Sequence, residues 1–231
     1  MPASFPFDAV LFDCDGVLVD SELITNRVLS EMLGELGWQV SVAETMRIFV
    51  GKAVRDEAPR IEANTGVAIT QAWLTQFRER RNVVLERELV AIDGAASAVQ
   101  ALHAALDGRI AVASGADRYK VEMQLRKTGM LDYFEGRVFS GHEMPRTKPH
   151  PDVYLAAAHA LGVDPRRCAV IEDTVTGATA GVAAGATVFG YAPASPGHSS
   201  PDGLRETGVA LVFEDMAQLP AVLAQWRPVL A

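Results

Sequence analysis

The sequence predicts an α/β fold in which a parallel sheet, connected by crossover helices, carries an inserted module of helices. Three observations support this class. The continuous apolar run at residues 9–12 has the length of a strand that is covered on both faces. Residues 22–90 show only helical periodicity, and from residue 92 onward strand-like and helix-like segments alternate. Such alternation is typical of parallel strands joined by helices.

The segment after the first strand is predicted to form three or four helices. Apolar residues recur there at helical spacing in two stripes, Val28, Leu29, Met32, Leu33 and Leu36, and Trp73, Leu74 and Phe77. Glycines at positions 37, 51 and 66 divide the segment. Pro59 is expected in the first turn of a helix or at a kink, because proline cannot donate a backbone hydrogen bond.

The second half of the chain is predicted to alternate between strands and helices. The further predicted strands span 110–113, 137–139, 168–171, 187–191 and 210–213. Predicted helices begin at Arg118, Pro151 and Thr176, and the last spans 216–226. The Pro-, Gly- and Ser-rich stretch 192–203 is expected to be a surface loop. We therefore predict a core domain of residues 1–20 and 91–231 and an inserted helical domain of residues 21–90.

Composition argues against several kinds of partner. The formal net charge of −8, with 29 acidic and 21 basic residues and no basic run, disfavours nucleic acid. Residues 1–7 lack a leader pattern and no apolar stretch has membrane length, so we expect a cytoplasmic protein without membrane contact. Cys14 and Cys168 lie beside apolar runs and are expected to be buried thiols rather than a disulfide.

Asp13 and Asp15 come directly after the first predicted strand, where a buried strand gives way to a loop. Ligands of parallel α/β sheets bind beyond the carboxyl ends of the strands, so two acids at this point favour a functional site. Taken alone, the Asp-x-Asp segment before Gly16 is explained equally well as a turn. The choice between the two interpretations depends on the residue types at the ends of the other strands.

Other predicted strands also end in polar residues. Ser114 and Gly115 combine a hydroxyl with an unhindered N–H that suits an oxyanion, although Ser-Gly is more often a plain turn. The adjacent acids Glu172 and Asp173 repel each other unless a cation or donors satisfy them, although alone they fit helix capping slightly better. Lys148 precedes a predicted helix, where the dipole disfavours a cation, so an anionic partner is expected.

Together these residues predict a metal-assisted site. Asp13, Asp15, Glu172 and Asp173 would bring up to four negative charges to adjoining strand ends, opposed among these residues only by Lys148. A divalent cation resolves this repulsion, and Mg²⁺ suits an all-oxygen ligand set that leaves positions for a substrate phosphate. Metal, lysine and hydroxyl together indicate phosphoryl transfer.

Four motifs occur in one order along the chain: Asp13-x-Asp15-Gly16-Val17-Leu18-x-Asp20-Ser21-Glu22, Ser114, Lys148-Pro149-x-Pro151-Asp152 and Glu172-Asp173-Thr174-x-x-Gly177. With these motifs the chain resembles the haloacid dehalogenase superfamily over nearly its whole length, in the branch of phosphatases and phosphomutases that carry a helical cap. Within the branch it looks most like sugar-phosphate phosphatases, those of 6-phosphogluconate among them. The resemblance implies a Rossmann-like, doubly wound parallel sheet with residues 21–90 as the cap.

The resemblance also implies roles for the strand-end residues. Asp13 would be the nucleophile that forms an aspartyl-phosphate, and Asp15 would protonate the leaving oxygen and then deprotonate the attacking water. Ser114 and Gly115 would bind the transferring phosphoryl group, and Lys148 would neutralise the charge of Asp13 and of the phosphate. The presence of Asp15 disfavours hydrolysis of a carbon–halogen bond, because the dehalogenases of the superfamily lack this second acid.

By the same resemblance, Mg²⁺ would be held by Asp13, by the main-chain carbonyl of Asp15 and by Asp173, with Glu172 supporting the metal site. The implied partner is a small phosphorylated substrate, and the chain is expected to be a monomer or a weak homodimer. A cap that closes over the site would exclude a phosphoprotein.

The loop at residues 50–55 is where related enzymes contact their substrates, so Gly51, Lys52 and Arg55 are candidate substrate-binding residues. Lys52 and Arg55 either contact a second anionic group, such as a carboxylate, or form a solvated helix entrance. The loop departs from the Gly-x-Ser-Arg pattern of β-phosphoglucomutases, since Ala53 stands at the serine position. We therefore favour a phosphatase, with a phosphomutase and a catalytically silent binding protein as alternatives.

Overall fold

The computed structural model describes residues 5–195 and 197–227, and its described residues contain a six-stranded parallel sheet. The strands are β1 Ala9–Phe12, β2 Ile110–Ser114, β3 Val138–Ser140, β4 Cys168–Glu172, β5 Thr187–Tyr191 and β6 Leu211–Phe213. Their order across the sheet is β3-β2-β1-β4-β5-β6. The chain therefore winds outward from β1 in both directions, and the predicted doubly wound, Rossmann-like α/β fold is confirmed.

Helices cover both faces of the sheet. Those between β1 and β2 are α1 Glu22–Glu35, α2 Val42–Phe49, α3 Ala58–Thr65, α4 Gln71–Glu88 and α5 Ala95–Ala105. The later ones are α6 Arg118–Lys127, α7 Asp152–Ala160, α8 Val175–Ala183, α9 Pro201–Glu206 and α10 Leu219–Gln225. Val10 and Phe12 pack on the side of α5, α6 and α10, whereas Ala9 and Leu11 pack on the side of α7, α8 and α9. This two-sided burial explains why β1 is apolar throughout.

Helices α1–α4, called the helical insertion below, have an apolar cluster of their own. Its buried members are Val28, Leu29, Met32, Leu33, Val40, Phe49, Ile61 and Phe77. The two connections to the sheet run side by side: Val19 and Ala91 form an antiparallel bridge, and the Asp20 N–H donates to the Val90 carbonyl at 3.0 Å. Pro59 lies in the first turn of α3, as predicted. The division into domains at residues 20/21 and 90/91 stays a prediction.

Some element boundaries differ from the predicted ones. The sequence predicts a loop over 192–203, but α9 begins at Pro201 because Ser200 caps it by accepting a hydrogen bond from the Gly203 N–H. Strand β3 begins one residue later than predicted and ends at Ser140, and residues 216–218 form a 3₁₀ turn before α10. Residues 1–4 and 228–231 of the predicted core, and Pro196 of the predicted loop, lie outside the described residues.

Cys14 and Cys168 are both free and buried, as predicted. In the part of the chain that the structure describes, no helix has both the length and the apolarity needed to cross a bilayer.

Candidate active site

A pocket of about 170 Å³ lies where the helical insertion covers the carboxyl ends of β1 and β2. It is lined by most of the predicted site residues: Asp13, Asp15, Gly51, Lys52, Arg55, Ser114, Gly115 and Lys148. Glu172 and Asp173, at the end of β4, are fully buried and reach this group through Lys148 and Asp13. The parallel strands thus bring together residues that are far apart in the sequence.

Lys148 connects two carboxylates. Its buried Nζ donates hydrogen bonds to Asp13 Oδ1 at 2.7 Å and to Glu172 Oε1 at 2.6 Å, and it lies 4.8 Å from the centre of the Tyr154 ring. The Tyr154 hydroxyl also donates to Glu172 Oε1, at 2.5 Å. Burial alone lowers the pKa of Lys148, but the charges of Asp13 and Glu172 outweigh it, so the pKa is raised. These two acids are the anionic partners that the sequence predicts for Lys148.

In the described part of the chain the carboxylate of Asp173 has no hydrogen-bond partner, and His198 Nε2 lies 3.9 Å from its Oδ2. Both of its oxygens are buried and accept no hydrogen bond from the residues that the structure describes. Burial raises the pKa of Asp173 well above its usual value, and the negative charges of Glu172 and Asp13 raise it further. Unpaired carboxylate oxygens are costly to bury unless a cation or donor satisfies them.

Asp13, Glu172 and Asp173 each place one carboxylate oxygen within 4.8 Å of the others. Burial raises the pKa of Asp13 to about 7; Lys148 opposes this shift, while Glu172 and Asp15 add to it. The described residues donate no hydrogen bond to the Asp173 carboxylate, and all three residues supply hard oxygen atoms. This donor set fits a small divalent cation such as Mg²⁺.

Two motif glycines leave room for these acids. Gly16 has a φ of +76°, and a Cβ there would lie 2.2 Å from Asp173 Oδ2. A Cβ on Gly177, in the first turns of α8, would lie 1.8 Å from Glu172 Oε1. Any larger residue at either position would displace a carboxylate of the site, which gives a physical reason for these glycines in the motifs.

Asp15 is held by two residues of α6 and by Ser21. Its Oδ1 accepts hydrogen bonds from Lys120 Nζ at 2.7 Å, from Gln124 Nε2 at 2.9 Å and from the Ser21 hydroxyl. Burial would raise the pKa of Asp15, but the charge and hydrogen bond of Lys120, with the bonds from Ser21 and Gln124, lower it to about 2. Asp15 is therefore an ionised carboxylate in this arrangement.

Ser114, at the end of β2, is buried, and its Oγ accepts a hydrogen bond from the Ala116 N–H at 3.0 Å. This bond orients the hydroxyl at the edge of the pocket. The space beside Gly115 is open, since a Cβ there would meet no atom within 4 Å. An anion in the pocket can therefore approach the Gly115 backbone closely.

His198, in the loop after β5, lies beneath the carboxylates. Its Nε2 is 3.0 Å from the Gly16 carbonyl oxygen and 3.9 Å from Asp173 Oδ2, and its ring packs edge-on against Tyr191. In the same loop the Ser199 N–H donates to the Asp173 carbonyl at 3.0 Å. This loop therefore supports the backbone of the two segments that carry Asp15 and Asp173.

Sequence reasoning assigned no role to several residues of the pocket and its surroundings: Glu22, which belongs to the first motif, and Arg78, Arg81, Lys120, Gln124 and His198. Lys120 and Gln124 had a detectable signal, because they are spaced i, i+4 on a face of α6 that also carries buried apolar residues. Arg81, on α4, is buried and paired with Asp117 at 3.1 Å. Burial raises the pKa of Glu22 to about 7, with a further contribution from the charge of Asp15.

Comparison with known proteins gives a consistent result. The family model described as haloacid dehalogenase-like hydrolase matches residues 7–185. Among curated proteins, the 6-phosphogluconate phosphatase of Escherichia coli K12 is 34% identical over 195 residues, which cover 84% of this chain and 86% of that protein.

Solved structures that are similar to this chain belong to the same family. A conserved haloacid dehalogenase-like protein of unknown function from Agrobacterium tumefaciens has a TM-score of 0.80 at 34% identity, covering 94% of this chain and 98% of that chain. A HAD family hydrolase from Deinococcus radiodurans, solved with bound phosphate and sodium, has a TM-score of 0.77 at 36% identity, covering 96% of each chain.

Proposed function

The chain belongs to the haloacid dehalogenase-like hydrolases and is a phosphatase, and we propose that it hydrolyses a small sugar phosphate or sugar-acid phosphate through an aspartyl-phosphate on Asp13. The observation that carries this proposal is the buried group of Asp13, Lys148, Glu172 and Asp173 beside a pocket that Ser114 also lines. The similarity to a 6-phosphogluconate phosphatase supports the substrate class.

The proposed first step is attack of an Asp13 carboxylate oxygen on the phosphorus. The bond between phosphorus and the leaving sugar oxygen breaks, and Asp15 supplies the proton to that oxygen. Lys148 and the Ser114 hydroxyl stabilise negative charge on the transferring group. In the second step Asp15 takes a proton from water, which attacks the aspartyl-phosphate and releases inorganic phosphate with Asp13 restored.

The contact between Lys120 and Asp15 keeps Asp15 ionised, which suits its role as a base in the second step but not its role as an acid in the first. With its pKa at about 2, Asp15 carries no proton to donate near neutral pH. We propose that closure of the helical insertion over a substrate moves Asp15 away from Lys120, which raises its pKa and allows it to act as the acid. In this proposal residues 21–90 act as a cap, and its closure limits the substrates to small metabolites.

We propose Mg²⁺ as the cofactor, held by Asp13, by Asp173 and by the main-chain carbonyl of Asp15, with Glu172 beside them. The unpaired buried oxygens of Asp173 support this assignment. When bound, the ion would shield the charge of the carboxylates and of the substrate phosphate. Lys148 would hold Asp13 in place and keep part of its charge balanced.

The direct test is phosphate release by the purified protein with Mg²⁺, assayed against a panel of sugar phosphates. We expect release from at least one sugar or sugar-acid phosphate, with 6-phosphogluconate and glucose 6-phosphate in the panel. Glucose 1-phosphate is assayed with and without glucose 1,6-bisphosphate, because conversion to the 6-phosphate without net release would establish the mutase instead. The absence of Ser at position 53 argues against that outcome.

Apparent Mg²⁺ affinity is expected to rise between pH 6 and pH 8. Asp13, with a pKa of about 7, is protonated at the lower pH, and the ion must displace that proton. The gain is at most about tenfold per pH unit for each proton displaced. Calorimetric titration with Mg²⁺ at several pH values measures it, and Asp173→Asn serves as the variant that lacks a ligand. Equal affinity at pH 6 and pH 8 would contradict the prediction.

Ionisation of Asp13 increases the affinity for Mg²⁺ but decreases the stability of the metal-free protein. The pKa of Asp13 is about 7 in the folded state and 3.8 for the free side chain. Between these two pKa values the unfolded state therefore binds fewer protons than the folded state. The contribution of Asp13 to the free energy of unfolding falls as the pH rises through this interval. Mg²⁺ binding should offset this loss, so the increase in Tm on adding Mg²⁺ should be larger at pH 8 than at pH 6.

A further inference from the structure

Arg78, on α4, is a cation of the pocket that has no partner among the described residues. Its half-buried side chain lines the pocket, together with Asp13 and Ser114 at the strand ends. Its guanidinium makes no hydrogen bond and no ion pair with any residue in the described ranges 5–195 and 197–227, although Arg80 and Arg81 on the same helix both make such bonds. Arginine at such a position is costly to leave without an anion, because its five donors are only partly solvated.

The neighbouring cations of the helical insertion are already balanced by acids. Lys52 lies 3.3 Å from Glu57, and Arg55 lies 3.2 Å from Asp56. Arg81 pairs with Asp117 at 3.1 Å. Arg78 is therefore the cation of this wall that the described carboxylates leave uncompensated. The chain as a whole is acidic, so the cluster of basic residues that the helical insertion places along the pocket is a local feature.

Arg55, Arg78 and Arg81 line the same pocket as His142, and the charge of each affects the pKa of that histidine. Burial lowers the pKa of His142, and the charges of Arg55, Arg78 and Arg81 lower it further, whereas Asp117 raises it. His142 itself lines the pocket and comes after β3 on the core side. A ligand group in contact with Arg78 would thus lie between the helical insertion and the core, among several cations.

We propose that Arg78 binds a second anionic group of the substrate, a carboxylate or a second phosphate, and so selects sugar phosphates that carry such a group over the monophosphates of neutral sugars. The inference rests on the proposed phosphatase function for the first anion, the phosphate held at Asp13. An arginine fork matches the two oxygens of a carboxylate or phosphate, whereas the hydroxyl groups of a neutral sugar leave the charge unpaired. Sequence reasoning placed such contacts only at Lys52 and Arg55.

The test compares substrates within single variants. In the active enzyme, Arg78→Gln should reduce kcat/KM for 6-phosphogluconate about 10- to 100-fold more than for glucose 6-phosphate, because only the first carries the extra anion. Arg78→Lys should recover part of the preference. Fructose 1,6-bisphosphate forms a third arm, which distinguishes a second phosphate from a carboxylate. Arg80→Gln is the matched control, since Arg80 lies on the same helix but is exposed and paired with Glu35.

A binding measurement separates this inference from the proposed function. In an Asp13→Asn background, calorimetry should show that 6-phosphogluconate or fructose 1,6-bisphosphate, which carry a second anionic group, binds more tightly than glucose 6-phosphate, and Arg78→Gln should remove that preference. Equal losses for all three compounds, or no preference before the substitution, would overturn the inference. An enzyme that binds with this preference but releases no phosphate would overturn the proposed function alone.

Discussion

Asp13→Asn is expected to abolish turnover, with a loss in kcat of at least about 10⁴-fold, because the amide cannot attack phosphorus and form the acyl-phosphate. The change is small in volume and leaves Lys148 paired with Glu172, so the fold should persist. Phosphate release under saturating substrate measures the loss. Thermal unfolding checks that the variant remains folded.

Asp20→Asn is the matched control for this variant. Asp20 belongs to the same motif but is exposed, at the connection to the helical insertion. Its replacement should leave kcat within about twofold of the parent value, as is usual for surface substitutions away from a site. If Asp13→Asn retained more than a few per cent of the activity, Asp13 would not be the nucleophile and the proposed covalent route would be wrong.

Asp15→Asn is expected to lower steady-state turnover about 10²- to 10⁴-fold, the range for loss of a general acid–base. In the proposed mechanism Asp15 is the acid of the first step and the base of the second. Only the first role depends on whether the leaving group of the substrate needs a proton. With p-nitrophenyl phosphate the leaving group needs no proton, so the aspartyl-phosphate should form and then persist. We therefore expect a burst of nitrophenol close to one equivalent per enzyme, succeeded by slow release.

The burst is measured by stopped-flow absorbance, and the phosphorylated protein by its mass. Asp15→Asn also removes the negative partner of Lys120, so Lys120→Met serves as a comparison that breaks the same contact but keeps the carboxylate. If Asp15→Asn lost activity without accumulating phosphoenzyme, while Asp13→Asn stayed inactive, Asp15 would act only in the first step.

The sequence predicted those site residues that lie at the carboxyl ends of buried strands. Asp13, Ser114 and Glu172 could be placed in this way because the carboxyl ends of parallel strands meet at one edge, whatever their separation along the chain. The element types were largely predicted for the same reason, since apolar periodicity marks strands and helices locally. Helix α9 was missed because its six residues are too few for periodicity to be visible.

The remaining pocket residues could not be predicted in this way. The contact between Lys120 and Asp15 joins residues 105 positions apart, and it depends on how α6 packs against the face of the sheet. Arg78 and Arg81 belong to a helix that is polar on most of its surface, and its short apolar stripe of Trp73, Leu74 and Phe77 does not show which of its charged residues face the pocket. Which charged residues of such a helix face inward is decided by tertiary packing, which local patterns do not contain.

The bridge between Val19 and Ala91 bears on how this protein could diversify. The helical insertion leaves and rejoins the sheet at adjacent points, so its ends make the same short junction whatever lies between them. In evolutionary terms the insertion is a cassette: recombination can exchange it as a block without shifting any strand. A protein that keeps the strand-end carboxylates can thereby keep the same type of reaction, while a single exchange of the insertion changes its substrate specificity.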